Sequence, residues 1–293
     1  MKVKDLIQVF KEEKTRSRSD LRHMRAVFWA NFKIFLSYRT WVITETLSTV
    51  ASIAMYSFMG LQVPSDRLVE AGYGNVNWLA FALVGIASTN YLWMCIGRLS
   101  HSIQHEIRDG TFETVVSSPI RLRSYVIGMS IRGFLVSSYF MVGALLVGTL
   151  VCRAPLTINL ETALSSVLLF LMLIISHLGI GIVAAGIILV YKKGDPVAFL
   201  FSAFTEFFGG VLYPLKLLES YPVLNAVAWA MPYTYALEAL RRVLLTGATV
   251  ASPEVFTNIL ILVGYTLIFM PLGLLAFRWG YNRVRTEGTT ASY

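Results

Sequence analysis

The apolar positions of this chain fall into long blocks, not into the alternating or one-sided patterns of soluble strands and helices. Crossing a bilayer takes about 20 apolar residues of helix. Six blocks reach that length, at 41–62, 77–97, 125–151, 163–190, 196–215 and 256–277. The third and fourth exceed it and predict helices that tilt or extend past the hydrocarbon. Ahead of them, Val3, Leu6, Ile7 and Phe10 recur at helical spacing and predict a short amphipathic helix, with residues 15–19 as a joint. Asp20 is placed to cap a second helix running to about Arg39. Its Leu21, Met24, Val27, Phe28, Phe32, Phe35 and Leu36 form one apolar stripe, with Arg22, Arg25, Lys33 and Arg39 among them. Such a helix suits the membrane interface; packing against another protein domain is the alternative.

Residues 216–255, between the fifth and sixth blocks, are neither a hydrophilic loop nor a full span. The stretches 221–230 and 234–245 each read as a short helix, broken by Pro222 and Pro232. They predict a re-entrant pair dipping into the outer half of the membrane. That is allowed only if their free backbone groups are buried in protein or meet water. The fold class expected is therefore all-α, with six transmembrane helices, an N-terminal amphipathic interfacial helix and an outer re-entrant helix pair. The halves show no internal repeat.

Composition excludes a water-soluble globule. The chain is 56% hydrophobic and 14% charged, with mean hydropathy +0.63, where soluble domains carry about 25% charged residues. The net charge of +8 would raise nucleic acid as a partner, but the basic residues are distributed by side. Nineteen Lys and Arg fall in the N-terminal segment and the loops on its side of the membrane, and five on the other. This asymmetry predicts both termini in the cytoplasm, an even number of spans, a multi-pass protein of the cell (inner) membrane, and no nucleic acid partner. The division follows: 1–40 cytoplasmic or interfacial, 41–280 transmembrane, 281–293 a cytoplasmic tail. Residues 1–39 are charged throughout and lack the apolar core of a signal peptide, so the first span is expected to direct targeting. Trp41, Trp78, Trp229, Trp279 and Tyr281 lie near block borders and read as interfacial anchors.

Chemical signatures are few. H-E-x-x-H, G-x-S-x-G and zinc-spaced Cys/His clusters are absent from the sequence, and so is the P-loop G-x-x-x-x-G-K-[ST]. Of the four His, only His177 lies in a span, where helix packing is the simpler reading. Cys95 and Cys152 lie in apolar segments and read as packing. No cofactor is expected on this chain.

The cytoplasmic stretch 98–124 is the most informative. Leu99, Ile103 and Ile107 recur every four residues; Asp109-Gly110 marks a turn; Thr111 and Glu113 open a second short helix; Ser118-Pro119 ends it. The result is a helical elbow beneath the second and third spans. Glu106-x-x-x-Gly110-Thr111-x-Glu113, then Ser118-Pro119-Ile120 and Tyr125-x-x-Gly128, resembles the signature of the ABC-2 family of exporter permeases. Tyr213-Pro214-Leu215, Asn225 and the run from Met231 through Pro232, Tyr233, Tyr235 and Glu238 to Arg241 resemble that family's external re-entrant helices. The similarity runs over nearly the whole chain from about residue 25.

The resemblance implies that the elbow is a coupling helix docking into a cleft of an ATP-binding cassette ATPase. Glu106, Arg108, Asp109, Gly110, Thr111, Phe112, Glu113 and Pro119 would form the contact, with Phe112 the apolar anchor and Arg108, Asp109 and Glu113 the charge complement. It implies two permease chains, expected identical, and two ATPase copies that hold ATP and Mg. A short rigid helix on the ends of two spans can carry rigid-body motion into the membrane.

Charges within the spans come next. Glu45, Arg132 and Glu206 each cost about 3 kcal/mol at mid-membrane and should face a partner or water. Glu206 sits among Phe204, Phe207 and Phe208. It reads either as part of a transport path, with Glu45, or as a structural partner for a neighbouring helix. Phe-lined walls with one acid favour an amphipathic or cationic small molecule, a drug or a lipid as substrate. A polysaccharide or glycolipid exporter is the alternative within the family. Outside it stand a gradient-driven transporter with Glu206 as proton carrier, and a membrane-embedded enzyme.

Overall fold

The computed structural model describes residues 3–60, 62, 66–74, 76–98, 122–191 and 195–287. Among the described residues every regular element is a helix. Helix α1 (Val3–Ser37) runs without interruption. The joint expected at residues 15–19 is therefore helical, and Asp20 lies buried inside the helix instead of capping a new one. The reason is local: residues 15–19 hold neither Gly nor Pro, so nothing interrupts the backbone ladder. The aromatic stripe forms a ladder of rings, Phe28 to Phe32 at 5.4 Å and Phe32 to Phe35 at 6.1 Å. Phe35 then meets Trp41 at 5.9 Å, on the next helix.

Helix α2 (Arg39–Gly60) buries little more than Ile53. Ile43, Leu47, Met55 and Phe58 are exposed along it. After the short α3 (Asp66–Glu70), Asn77 caps α4 (Trp78–Trp93) by accepting from the Ala80 amide at 2.9 Å. Helix α4 is the centre of the protein, with Phe81, Leu83, Tyr91 and Leu92 fully enclosed. It passes into a π turn, Met94–Arg98. Helix α5 (Leu122–Leu146) also ends in a π turn, Val147–Val151.

Helix α6 (Leu160–Tyr191) and the last long helix, α10 (Pro253–Glu287), lie backbone against backbone. A Cβ on Gly179 would come within 2.6 Å of the Phe269 carbonyl oxygen, and one on Gly186 within 2.7 Å of that of Ala276. From the other side, a Cβ on Gly273 would lie 2.5 Å from the Gly179 oxygen. In lipid, where apolar helix faces gain little from each other over the acyl chains, close approach through small residues is the main source of helix association.

Between these helices run α7 (Asp195–Phe208), a 3-10 turn (Leu215–Leu218), α8 (Pro222–Trp229) and α9 (Pro232–Thr246). Pro222 and Pro232 stand at the first positions of α8 and α9. There the missing N–H costs nothing and the fixed φ favours the helix. Two short helices are thus present in the stretch where the sequence predicts them.

Among the described residues five helices are long and apolar enough to cross a membrane: Arg39–Gly60, Trp78–Ile96, Gly133–Val151, Leu160–Tyr191 and Pro253–Arg283. The chain is an all-helical, multi-pass membrane protein. The span expected at 196–215 differs. Helix α7 has 14 residues, about 21 Å at 1.5 Å per residue, against a hydrocarbon core of about 30 Å. It stops at Phe208, and Gly210 follows with φ +73°, a left-handed conformation that ends a helix.

Candidate functional site

Beyond the early end of α7 the carbonyls of the following turn have no helical partners, and helix α9 supplies the donor. Arg241 is 1% exposed and extends from α9 to that end. Its Nη1 donates to the Gly210 carbonyl at 2.8 Å and its Nη2 to that of Val211 at 2.6 Å. The guanidinium also lies 3.4 Å from the centroid of the Phe81 ring on α4. A cation at a helix C-terminus and over an aromatic face is doubly favourable. Trp78 completes the clasp by donating from Nε1 to the Leu212 carbonyl at 3.2 Å. Gly85 makes room for it: a Cβ there would meet the Val211 oxygen and lie 3.1 Å from Arg241 Nη2.

One turn away on α9, Glu238 joins three segments of the chain. It accepts a short hydrogen bond from the Tyr73 hydroxyl and pairs with Arg242 Nε at 2.9 Å. Arg242 reaches Glu254 at 3.4 Å and the Gly72 carbonyl at 3.0 Å. Burial, and then the neighbouring Glu238 carboxylate, push the Tyr73 hydroxyl well above the usual phenol range. Tyr73 therefore acts as a donor at neutral pH. The residues 66–74, α9 and the start of α10 are held together by this network.

Deeper in the bundle, Tyr233 is fully buried, its hydroxyl 2.8 Å from Ser88 Oγ and 3.3 Å from the Gly85 carbonyl that it donates to. His177 sits edge-on to the Tyr233 ring at 6.1 Å, and its Nδ1 lies 2.7 Å from the Leu173 carbonyl. Its Nε2 is buried with no hydrogen-bond partner among the described residues, so the ring is packed in the bundle but only half satisfied. Cys95 is buried and Cys152 half-buried, both as free thiols.

Glu206 is half-buried, and its Oε2 accepts from Trp93 Nε1 at 2.8 Å. The acid is thus partnered by an indole on the neighbouring helix α4. Around it, Phe204 packs on Phe208 at 4.3 Å and Phe207 on Phe208 at 5.1 Å. Phe204 and Phe207 face outward, Phe207 with 67% of its surface exposed. Glu45, half-buried on α2, has no side-chain partner among the described residues and is not brought to Glu206 by any contact there. The side chain of Arg132 lies outside the described residues, as does the whole proposed coupling set: Glu106, Arg108, Asp109, Gly110, Thr111, Phe112, Glu113 and Pro119.

Of the outer residues singled out, Pro214 introduces the 3-10 turn, and Pro232, Tyr233 and Glu238 have the places described. Tyr235 stacks near Trp229 at 5.3 Å and Tyr265 at 6.2 Å, while the Tyr265 hydroxyl donates to the Ala230 carbonyl at 2.9 Å. That contact ties the corner between α8 and α9 to α10. Sequence reasoning named Arg241 only as the end of a motif and gave it no role, and it passed over Tyr73 and Trp93. For Arg241 a signal existed, since two adjacent arginines in an otherwise apolar helix call for partners.

Among the described residues no group of three or more His, Cys, Asp or Glu could hold a metal. What the arrangement can do is mechanical: it fixes the turn after a helix that ends within the bundle to α9 and to α4. None of the curated proteins compared matches the chain. The family described as ABC-2 type transporter matches residues 22–245, from α1 into α9. That stretch takes in the elbow motif, the central helix α4, the short α7 and Arg241, and with it the chain belongs to the ABC-2 type transporter family, as a membrane permease of ABC-type transport.

Proposed function

We propose that this chain is the permease subunit of an ABC exporter, moving an amphipathic small molecule, drug or lipid-type substrate outward on ATP hydrolysed by a separate ATPase subunit. The observation that carries the reading is family membership over residues 22–245 in a chain whose sequence has no P-loop. ATP and Mg then belong to the partner. Two ATPase copies sit on the cytoplasmic side with both chain termini. Two identical permeases face each other in the cell membrane, with substrate passing between them. The long exposed apolar face of α2, with Leu47 and Phe58, supports a second permease as neighbour.

In this reading residues 98–124 form the coupling elbow. Phe112 seats in the ATPase cleft, and Arg108, Asp109 and Glu113 match its charge. Helix α7 completes a sixth crossing together with the turn that follows it, and α8 and α9 re-enter the outer leaflet. The pairing of the Gly210 and Val211 carbonyls, in the turn after α7, with Arg241 supports this, because irregular backbone at membrane depth must be paired within the protein. Glu206, with Phe204, Phe207 and Phe208 beside it, forms part of the substrate path, and Glu45 lies on the facing helix of the pathway. The Trp93 bond to Glu206 leaves one carboxylate oxygen to meet a cationic or polar substrate group.

The test is co-expression with candidate ATPase subunits, followed by the mass and ATPase activity of the detergent-solubilised complex. A complex of two permeases and two ATPases is expected, with capture lost in Glu113→Arg. A stable permease that captures no ATPase, and transports only while a proton gradient persists, would sink the reading.

A further inference from the structure

A groove of about 930 Å³ runs between α5, α6 and α10. Its walls are Ile131 and Phe134 from α5, Ile174 and Ile182 from α6, and Leu274 and Phe277 from α10. The glycine seam draws α6 and α10 together and leaves the concavity along one side of the pair. The polar lining is confined to one end, where Arg278, Tyr281 and Asn282 of α10 stand with Ser130 of α5.

We infer that this groove binds an anionic glycerophospholipid of the cytoplasmic leaflet, its acyl chain along the apolar walls and its phosphate at Arg278. The inference rests on the cytoplasmic placement of the chain's C-terminus proposed above. Three observations carry it. The first is length. On α10 the lining runs from Met270 to Asn282, about 18 Å at 1.5 Å per residue, against about 15 Å for one leaflet of a 30 Å core. A groove one leaflet deep, polar only at its outer end, has the amphipathic order of a lipid. The second is volume, at the upper end of the roughly 300–1,000 Å³ of small-molecule sites. The third is charge. Arg278 has no hydrogen bond or ion pair among the described residues, so its guanidinium is open to a phosphate, which it can hold by two parallel N–H donors. Arg283 lies 5.9 Å from the Trp279 ring one turn on, an arrangement suited to the headgroup level.

The test uses the full-length chain, stripped of lipid in detergent. It is offered phosphatidylglycerol or phosphatidylcholine of the same acyl chains at equal concentration, and retained lipid is counted by native mass spectrometry. The wild-type chain is expected to prefer phosphatidylglycerol. Arg278→Ala should lose about five-fold of that preference while holding phosphatidylcholine as before, and Arg278→Lys should keep most of it. Ile131→Trp, which fills the groove, should lower retention of both lipids at unchanged elution volume. Equal phosphatidylglycerol retention by wild type and Arg278→Ala would overturn the proposal, as would full retention in Ile131→Trp. A fall from dimer to monomer mass in Ile131→Trp would instead make the groove a contact between chains, and would also overturn it. Capture of an ATPase subunit by the wild-type chain tests the permease reading and not the groove, so the two can fail separately.

Discussion

Replacing Arg241 by Met keeps an unbranched stem of similar length and removes the guanidinium. The carbonyls of Gly210 and Val211 then lose donors at 2.8 and 2.6 Å in a place where the arginine itself is 1% exposed. A buried acceptor left without a donor costs about 1–3 kcal/mol. The cation over Phe81, at 3.4 Å from the ring centroid, contributes about 2 kcal/mol when desolvated. Against these stands the desolvation of the buried cation, several kcal/mol, which the substitution relieves. Glu238 does not become an uncompensated charge, because Arg242 holds it at 2.9 Å. The net expectation is a loss of about 3 kcal/mol, or an apparent Tm lower by about 5–10 °C. The assay is thermal unfolding of the detergent-solubilised protein followed by size-exclusion chromatography. Arg241→Lys should lose nearly as much, since one ammonium cannot span two carbonyls and lie flat on a ring. Arg242→Met serves as the control. Its side chain is 23% exposed, its pair with Glu238 is half-buried and its pair with Glu254 is at the surface, and Glu238 keeps the Tyr73 hydroxyl as a donor, so its loss should be the smaller one, about 1–2 kcal/mol. Equal shifts for Arg241→Met and Arg242→Met would refute the argument that burial and the ended helix give Arg241 its role.

Three further outcomes are expected. Gly179→Val or Gly186→Val should separate α6 from α10, because a Cβ at either site would fall within about 2.7 Å of the facing backbone. Loss of the folded peak in either variant, with Gly264→Val tolerated where nothing lies within 4 Å, would show it. Glu206→Gln should leave thermal stability unchanged, since an amide oxygen can still accept from Trp93. Glu206→Leu should cost about 1–3 kcal/mol by orphaning the indole N–H, and a drop in transport of a cationic substrate in Glu206→Gln would separate the charge from the structural bond. Tyr73→Phe should narrow its stability deficit to wild type as pH rises. The folded hydroxyl is held above its ordinary value by burial and by Glu238. Stability from it is therefore complete below about pH 10 and declines above it, as the unfolded chain ionises first. A deficit constant between pH 8 and 11 in melting curves would contradict this.

The positions of the long helices were legible because hydropathy is a property of consecutive residues, and a bilayer needs about 20 of them in a row. Arg39–Gly60, Trp78–Ile96 and Leu160–Tyr191 follow the expected blocks within a few residues. Pro222 and Pro232 marked the starts of α8 and α9 because proline's fixed φ acts locally. The motifs around Gly110 and Pro232 likewise pointed to the family that matches residues 22–245. The joint at residues 15–19 was misread because polar residues suggested a break that only Gly, Pro or a competing cap would enforce.

What the sequence by itself determined is which segments are helical and apolar, and that its basic residues gather in the segments between and before them. Only the tertiary structure decided where α7 ends, since an apolar run continues past Phe208 in sequence. The end depends on Gly210 turning left-handed and on a guanidinium 31 residues away that donates to its carbonyl. The pairing of Glu206 with Trp93, 113 residues apart, and the seam of Gly179 and Gly186 against α10 were equally out of reach. Hydropathy averages over neighbours in the chain. Pairing of buried polar groups and close backbone approach depend on neighbours in space.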